Sequence, residues 1–329
     1  MTHYGFNVQW MYSDPRKGPE QPDEKLLDFM ANNGFNFLRL PCNYWFWTHD
    51  FKYFEPDESV LVFIDRYFDA CRQRGLHFNL NLHRAPGYCI NYNTLEKHNL
   101  WQDEIAQDAF VFLWETFARR YKGISNDQIS FDLLNEPPNI GDYGFTRNIH
   151  EAVMRRTVAA IRAVDPDRQI AIDGLAGGNL AMPELADLGL IHSTRGYQPM
   201  PVSHWGANWW EGWKVAEGPI YPGVLWEGKI WDREALKEHY APWRAVEEQG
   251  VKVHIGEFGC YNQTPNDVAL HWFSDLLSLF KEYCWGYALW NFGGAFGIVE
   301  HGRPGTMYEM VDGYSVDRAL LDLLIENRV

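Results

Sequence analysis

The chain is expected to be an α/β protein folded as a single (β/α)8 barrel, and three observations carry that expectation. Apolar, strand-like runs alternate with stretches of helical period from one end to the other, as parallel strands joined by crossover helices require. Eight such runs are present, the number that closes a barrel. No Gly-x-Gly-x-x-Gly follows the first run, which weighs against an open, doubly wound, nucleotide-binding sheet. The 329 residues would allow two domains, but barrels of this kind often use that length for one, so one domain over residues 1–329 is expected.

In chain order the strand runs fall at residues 4–10, 36–40, 76–83, 128–136, 169–173, 191–198, 251–257 and 285–290. Helical period marks 23–31, 61–74, 103–121, 146–164, a short segment near 183–188, 232–249, 266–283 and a closing helix at 316–326. Helix stops agree, because Gly75 and Gly250 follow helical runs and Pro166 comes soon after another. The sequence has no internal repeat at solenoid period and no low-complexity linker.

Hydrophobic residues make up 46% of the chain and charged residues 22%, a globular composition with material for one large core. A formal net charge of -15 disfavours nucleic acid and acidic membrane surfaces, and suits a neutral or cationic small partner such as carbohydrate. Cys42, Cys71, Cys89, Cys260 and Cys284 are scattered and lack C-x-x-C spacing, so neither a disulfide framework nor a zinc site is expected. No H-E-x-x-H appears and no His-x-His follows the first strand, so no metal or other cofactor is expected. The N-terminus shows no basic start followed by an apolar run, which leads us to expect a cytoplasmic chain, or a secreted one if a leader has been removed. No stretch is apolar enough to span a membrane, and nothing in the sequence speaks to an oligomeric state.

In barrels the chemistry sits where the strands end, so the polar residues at those ends are the candidates. Arg39 ends the second strand, His83 the third, Asn135 and Glu136 the fourth, Tyr197 the sixth, Glu257 the seventh and Trp290 the eighth. Two segments dominate: Phe131-Asp132-Leu133-Leu134-Asn135-Glu136-Pro137 and Val253-His254-Ile255-Gly256-Glu257-Phe258-Gly259. Each delivers a glutamate from an apolar strand, and a pair of such carboxyls, about 5 Å apart, is what sugar-bond cleavage with retention uses. One must be protonated to serve the leaving oxygen, the other ionised to attack the anomeric carbon. Arg39 and the Tyr197 hydroxyl are expected to keep Glu257 anionic, and that charge to raise the pKa of Glu136 until the intermediate forms. Asn135 is expected to hold the sugar 2-hydroxyl and Trp290 to give the ring an apolar floor.

Further candidates come from the connection after the sixth strand. It carries Trp205, Trp209, Trp210, Trp213, Trp226 and Trp231 and is long for a barrel loop. Tryptophan faces along a rim can form successive sugar subsites, Trp205 and Trp210 foremost, or can pack a satellite core under the loop. Tyr44, Trp45, Phe46 and Trp47 pose the same choice. His83 and His204 are candidate sugar ligands or satisfied polar residues at the rim. Gly293-Gly294-Ala295-Phe296-Gly297 lies where many barrels bind phosphate, but without a nearby lysine it reads as a glycine turn.

Together, Leu134-Asn135-Glu136-Pro137, Ile255-Gly256-Glu257-Phe258-Gly259, Arg39 in Leu38-Arg39-Leu40-Pro41, His83 in Asn81-Leu82-His83, and Tyr197 followed by Ser203-His204-Trp205-Gly206-Ala207 resemble glycoside hydrolase family 5, the cellulase-like family of clan A. The resemblance covers nearly the whole chain. It implies a barrel hydrolase with Glu136 as acid/base and Glu257 as nucleophile. Two departures stand out: Arg195-Gly196-Tyr197 where many members have His-x-Tyr, and His83-Arg84 where cellulases often have His-His. Both are expected to bring an extra cation near the sugar.

The expectation is thus a retaining β-glycoside hydrolase, endo-β-1,4-glucanase-like, acting on gluco- or manno-configured β-linked oligo- or polysaccharides. The alternatives are an exo-acting β-glucosidase or β-mannosidase on imported oligosaccharides, a transglycosylase, and a non-catalytic carbohydrate-binding barrel. Turnover of an aryl β-glycoside separates the last from the rest.

Overall fold

All eight expected strands are present in the computed structural model, which describes residues 2–214 and 216–329. They are Tyr4–Asn7, Phe37–Asn43, His77–Ala85, Ile129–Asp132, Ile170–Asp173, Ile191–Gly196, Lys252–Phe258 and Gly286–Leu289, called the first to the eighth strand below. Neighbours in the sheet follow chain order, with the eighth beside the first and the second beside the third, which is the strand order of a closed (β/α)8 barrel. Most strand residues are buried, polar ones such as Arg39, Asn79, Asn81 and Asp173 included.

The helices Glu24–Asn32, Glu58–Arg72, Glu104–Arg120, Arg147–Val164, Arg233–Glu247, Asn266–Glu282 and Arg318–Glu326 intervene or follow. Five of them start where a side chain caps the first turn: Asp23 accepts from Leu26 N, Asp57 from Ser59 N, Thr146 from Ile149 N, Asp232 from Ala235 N and Asp317 from Leu320 N. No described helix is long and apolar enough to cross a membrane. All five cysteines are free thiols.

The chain divides into two compact units. One comprises Val8–Thr194 and Val246–Lys252. In its core Trp114 packs edge-on against Phe117 and tilted against Phe131, and the Trp114 indole donates to the Leu133 carbonyl at 3.1 Å. The other comprises Met1–Asn7, Arg195–Ala245 and Val253–Val329. There Phe258 packs edge-on against Phe273, Phe280 and Tyr287, and Tyr240 against Trp285.

The differences from expectation have local causes. The segment 183–188 is a 3-10 helix, Pro183–Leu188. The last helix starts at Arg318 because Tyr314–Asp317 pairs with Tyr308–Val311 in a hairpin that the sequence reading had not anticipated. A second hairpin joins Val224–Trp226 to Lys229–Trp231, and Tyr88–Cys89 folds back on the third strand. The fourth strand stops at Asp132, leaving Glu136 beyond it in the following turn. Tyr197 and Trp290 likewise lie one residue past their strands.

Burial also fixes a pH dependence. It pushes His150 down to about 3 and His192 to about 4 in one unit, and His204 to about 3 and His239 to about 4 in the other. In the unfolded chain these rings take up protons near pH 6.5, roughly the free-histidine value. The unfolded state therefore binds more protons, and stability present above about pH 6.5 is lost as pH falls toward the folded values, by at most about 1.4 kcal/mol per pH unit per histidine. Urea unfolding should show a midpoint that falls between about pH 7 and pH 5, less steeply in His150→Phe. A flat midpoint over that range contradicts the burial argument.

Candidate active site

The Asn-Glu-Pro turn belongs to the Val8–Thr194 unit and is tied down on both sides. Leu133 N donates to the Ala171 carbonyl and Asn135 N to the Leu82 carbonyl, each at 3.0 Å, so the chain stays stitched to the flanking strands after formal pairing ends. Glu136 then adopts a left-handed backbone, with a φ of +45°. For a residue with a Cβ this costs on the order of 1–2 kcal/mol, and such strain persists only where the surroundings impose it. Here they do. Glu136 N–H donates to Asp173 Oδ2 at 3.0 Å, and its carbonyl accepts from the Tyr88 hydroxyl at 2.6 Å. The next two carbonyls, of Pro137 and Pro138, accept from Gly177 and Ala176 at 2.9 and 3.2 Å.

Arg39, only 1% exposed, is the hub beneath this turn. Its Nε donates to Asp132 Oδ2 at 2.7 Å, its Nη2 donates to Asn135 Oδ1 at 3.1 Å, and the same nitrogen lies 3.6 Å from Asp173 Oδ2. Because the guanidinium has only donors, it fixes which end of the Asn135 amide is oxygen. The amide nitrogen therefore faces His83 Nε2, at 3.5 Å the outer limit of a hydrogen bond, and this ring nitrogen is the acceptor. His83 itself is the extra residue of a bulge: Cys42 pairs with Leu82 and Asn43 with Arg84, so one residue of the second strand steps past two of the third. Asp132 and Asp173 are site residues that sequence reasoning missed. The available signal was a buried-strand arginine, which requires carboxylates.

Arg84 does not supply a free cation. It is buried against Glu96 at 2.5 Å, donates to the Asn91 carbonyl at 2.6 Å and lies over the Trp45 ring at 4.2 Å. Glu96 also accepts from the Tyr44 hydroxyl at 2.7 Å and from Gly87 N at 3.2 Å. The expected excess positive charge is thus neutralised within the cluster. Tyr44, Phe46 and Trp47 are core residues and only Trp45 is partly open.

Glu257 lies in the other unit, 3% exposed. The seventh strand bulges there: Ile255 pairs with Tyr287 and Phe258 with Leu289, so three steps on one strand match two on the next. Bulges re-aim side chains. Asn7, another missed residue, pins this one by donating from Nδ2 to the Gly256 carbonyl at 3.0 Å. The Tyr197 hydroxyl donates to Glu257 Oε2 at 3.1 Å, and Arg195 Nη2 reaches Oε1 at 3.5 Å.

His204 is neutral, because burial pushes it down to about 3. The Ser203 hydroxyl gives its one proton to the Tyr197 carbonyl, so at 2.8 Å it must accept from His204 Nδ1, leaving Nε2 as an acceptor. The ring stands edge-on to Tyr197 and Phe296, with centroids 5.1 and 5.3 Å away. In the tryptophan-rich connection Trp210 packs on Trp226 and Trp205 on Trp213, both pairs partly buried, while Trp231 is buried. Trp209, edge-on to Tyr261 and 57% exposed, is the open ring of this loop. Trp290 is half-buried at the end of the eighth strand, and its N–H donates to the Phe258 carbonyl at 2.7 Å. The stretch 293–297 forms a hydrogen-bonded turn, and a Cβ at Gly297 would lie 2.4 Å from the Phe292 carbonyl oxygen.

A parallel (β/α)8 barrel that presents one glutamate after its fourth strand and another at the end of its seventh has the outline of a glycoside hydrolase. The chain belongs to the cellulase family, glycosyl hydrolase family 5, whose model matches residues 1–296. It is an O-glycosyl hydrolase. Among curated proteins it is 29% identical to Endoglucanase C of Acetivibrio thermocellus, over 88% of this chain and 89% of that one. It is 26% identical to Cellodextrinase A of Ruminococcus flavefaciens, over 79% and 77%. Among solved structures, one described as a glycoside hydrolase is 60% identical, covers 100% of both chains and superposes with a TM-score of 0.99. The endoglucanase Cel5A of Thermotoga maritima shares the fold at 22% identity, with a TM-score of 0.77 over 98% of this chain and 96% of that one.

Proposed function

We propose that this hydrolase cuts β-1,4-linked glucan chains internally by double displacement, with Glu257 as nucleophile and Glu136 as acid/base. The observation that carries the reading is the setting of Glu257: a buried carboxylate with one oxygen facing the Tyr197 hydroxyl and the other the Arg195 guanidinium. Both are donors, and together they aim the carboxylate. A Glu257 oxygen attacks the anomeric carbon while Glu136 passes its proton to the departing glycosidic oxygen. Glu136, now a carboxylate, takes a proton from the water that displaces Glu257, so the anomeric configuration is restored after two inversions.

The remaining candidates take supporting roles in this reading. The Asn135 amide nitrogen, oriented by Arg39 on the amide oxygen, donates to the sugar 2-hydroxyl, and Arg39 acts through it. His204 accepts from a sugar hydroxyl at Nε2, while His83 Nε2, which accepts from the Asn135 amide, holds that amide beside the sugar. Trp290 underlies the ring at the point of cleavage, and Trp205 and Trp210 line further sugar units with their partly open faces. The net charge of -15 suits an uncharged polysaccharide. The endoglucanase relative supports the internal mode of attack.

Incubation with 2-deoxy-2-fluoro glycosides of gluco and manno configuration, followed by mass mapping, should label the peptide holding Glu257, with the gluco probe reacting faster. Hydrolysis of soluble carboxymethyl cellulose should lower viscosity early and release oligomers of mixed length. Release of a single short product at constant viscosity would instead establish exo action, and a label on another peptide would remove Glu257 from its role.

A further inference from the structure

Arg195 and Tyr197 stand two apart around the end of the sixth strand and both reach Glu257, the side-chain spacing that places residues on one face of a strand. Gly196 between them faces the other way, where a Cβ would come within 2.6 Å of the Phe258 Cβ and 3.1 Å of the Phe280 ring. Glycine therefore lets the sixth strand lie close against Phe258, the residue after Glu257. The Tyr240 hydroxyl donates to the Arg195 carbonyl at 3.1 Å and fixes this backbone. The Arg195 and Glu257 side chains are 1% and 4% exposed, so their 3.5 Å approach is little screened by water.

Glu257 changes charge during the reaction. It is an anion before attack, a neutral ester in the intermediate, and an anion again once the sugar leaves. A fixed cation at this distance lowers the energy of both anionic states and does little for the ester. It makes the carboxylate a weaker nucleophile and a better leaving group.

Resting on the reading of Glu257 as nucleophile, we propose that Arg195 is a positioning residue that speeds the second half-reaction, release of the sugar from Glu257. In that step the bond from the anomeric carbon to the Glu257 oxygen breaks and its electron pair returns to the carboxylate facing Arg195. Water bonds to the carbon and yields its proton to Glu136.

The test traps the intermediate with 2,4-dinitrophenyl 2-deoxy-2-fluoro-β-cellobioside in the wild type, Arg195→Met and Arg195→Lys, and follows reactivation in buffer. Steady-state rates on 2,4-dinitrophenyl β-cellobioside are measured at the optimum pH of each protein. In Arg195→Met, reactivation and kcat should fall together by about tenfold or more, while kcat/KM stays within about threefold and a burst of dinitrophenol appears. Arg195→Lys keeps the charge without the planar fork and should fall between the two; if the methionine variant does not fold, the lysine variant alone should show slower reactivation with kcat/KM retained. A label on Glu257 with unchanged reactivation overturns the role of Arg195 alone. Equal losses in kcat and kcat/KM, as a purely structural role would give, also overturn it. A label on another residue overturns the nucleophile assignment and this inference with it.

Discussion

Glu257→Ala is expected to lose hydrolysis of every β-glycoside by about 10⁴-fold or more, whatever the leaving group, since no covalent route remains. Glu136→Ala should behave differently. General acid catalysis is worth about 10²–10⁴-fold, and that loss falls on substrates whose leaving group needs a proton. With dinitrophenyl glycosides the first step should survive, the intermediate should accumulate for want of a base, and added azide should restore turnover because it attacks without giving up a proton. Stereochemistry sharpens the contrast. Azide that displaces the Glu257 ester completes two inversions and yields the β-glycosyl azide from Glu136→Ala. In Glu257→Ala any azide product comes from one displacement and is the α-anomer. Nuclear magnetic resonance of the two products checks the assignment, and identical behaviour of the two variants would reverse or dissolve it.

The two glutamates were conspicuous in the sequence because each sits in a run whose character survives in one dimension. Leu133-Leu134 before Glu136 and Ile255-Gly256 before Glu257 carry no charge, so each glutamate stands out at the end of its run. Strand ends are less visible, because pairing stops before burial does. Leu133 and Leu134 are buried like the strand before them although the fourth strand ends at Asp132, so the apolar run carried the expected strand on to Glu136. Bulges leave no trace in composition, which is why the offsets at His83 and around Glu257 appear only when partners are paired. The two outer hairpins were hidden for the opposite reason. Leu225, Ile230 and Met310 are exposed apolar residues, so no face alternates cleanly. Arg84 looked like an added charge because its neutralising partner, Glu96, lies on a separate loop segment. Asp132, Asp173 and Asn7 matter through residues far away in sequence, and only the fold supplies those neighbours.

The second large effect concerns Arg39. Asp132, Asp173 and Arg39 are each at most 2% exposed, and the Arg39 guanidinium lies 2.7 and 3.6 Å from the two carboxylates. Removing one partner of a buried ion pair costs about 3–5 kcal/mol, because the surviving charge is stranded away from water. Arg39→Met should lose stability of that order in urea unfolding, and about 10²-fold in kcat/KM, since the Asn135 amide also loses the donor that orients it. The two charges that remain are both acids, so the folded variant should hold a proton there that the unfolded chain gives up. More protons in the folded state means that stability falls as pH rises. The deficit of Arg39→Met against wild type should therefore widen from about pH 5 to pH 8, opposite in sign to the histidine effect. Asp132→Asn in the Arg39→Met background removes one stranded charge and should recover part of the loss, so the double variant should be more stable than the sum of the single changes predicts. Strict additivity, with no pH dependence of the deficit, would mean that Arg39 holds the turn through packing alone and that its charge contributes nothing to the position of Glu136.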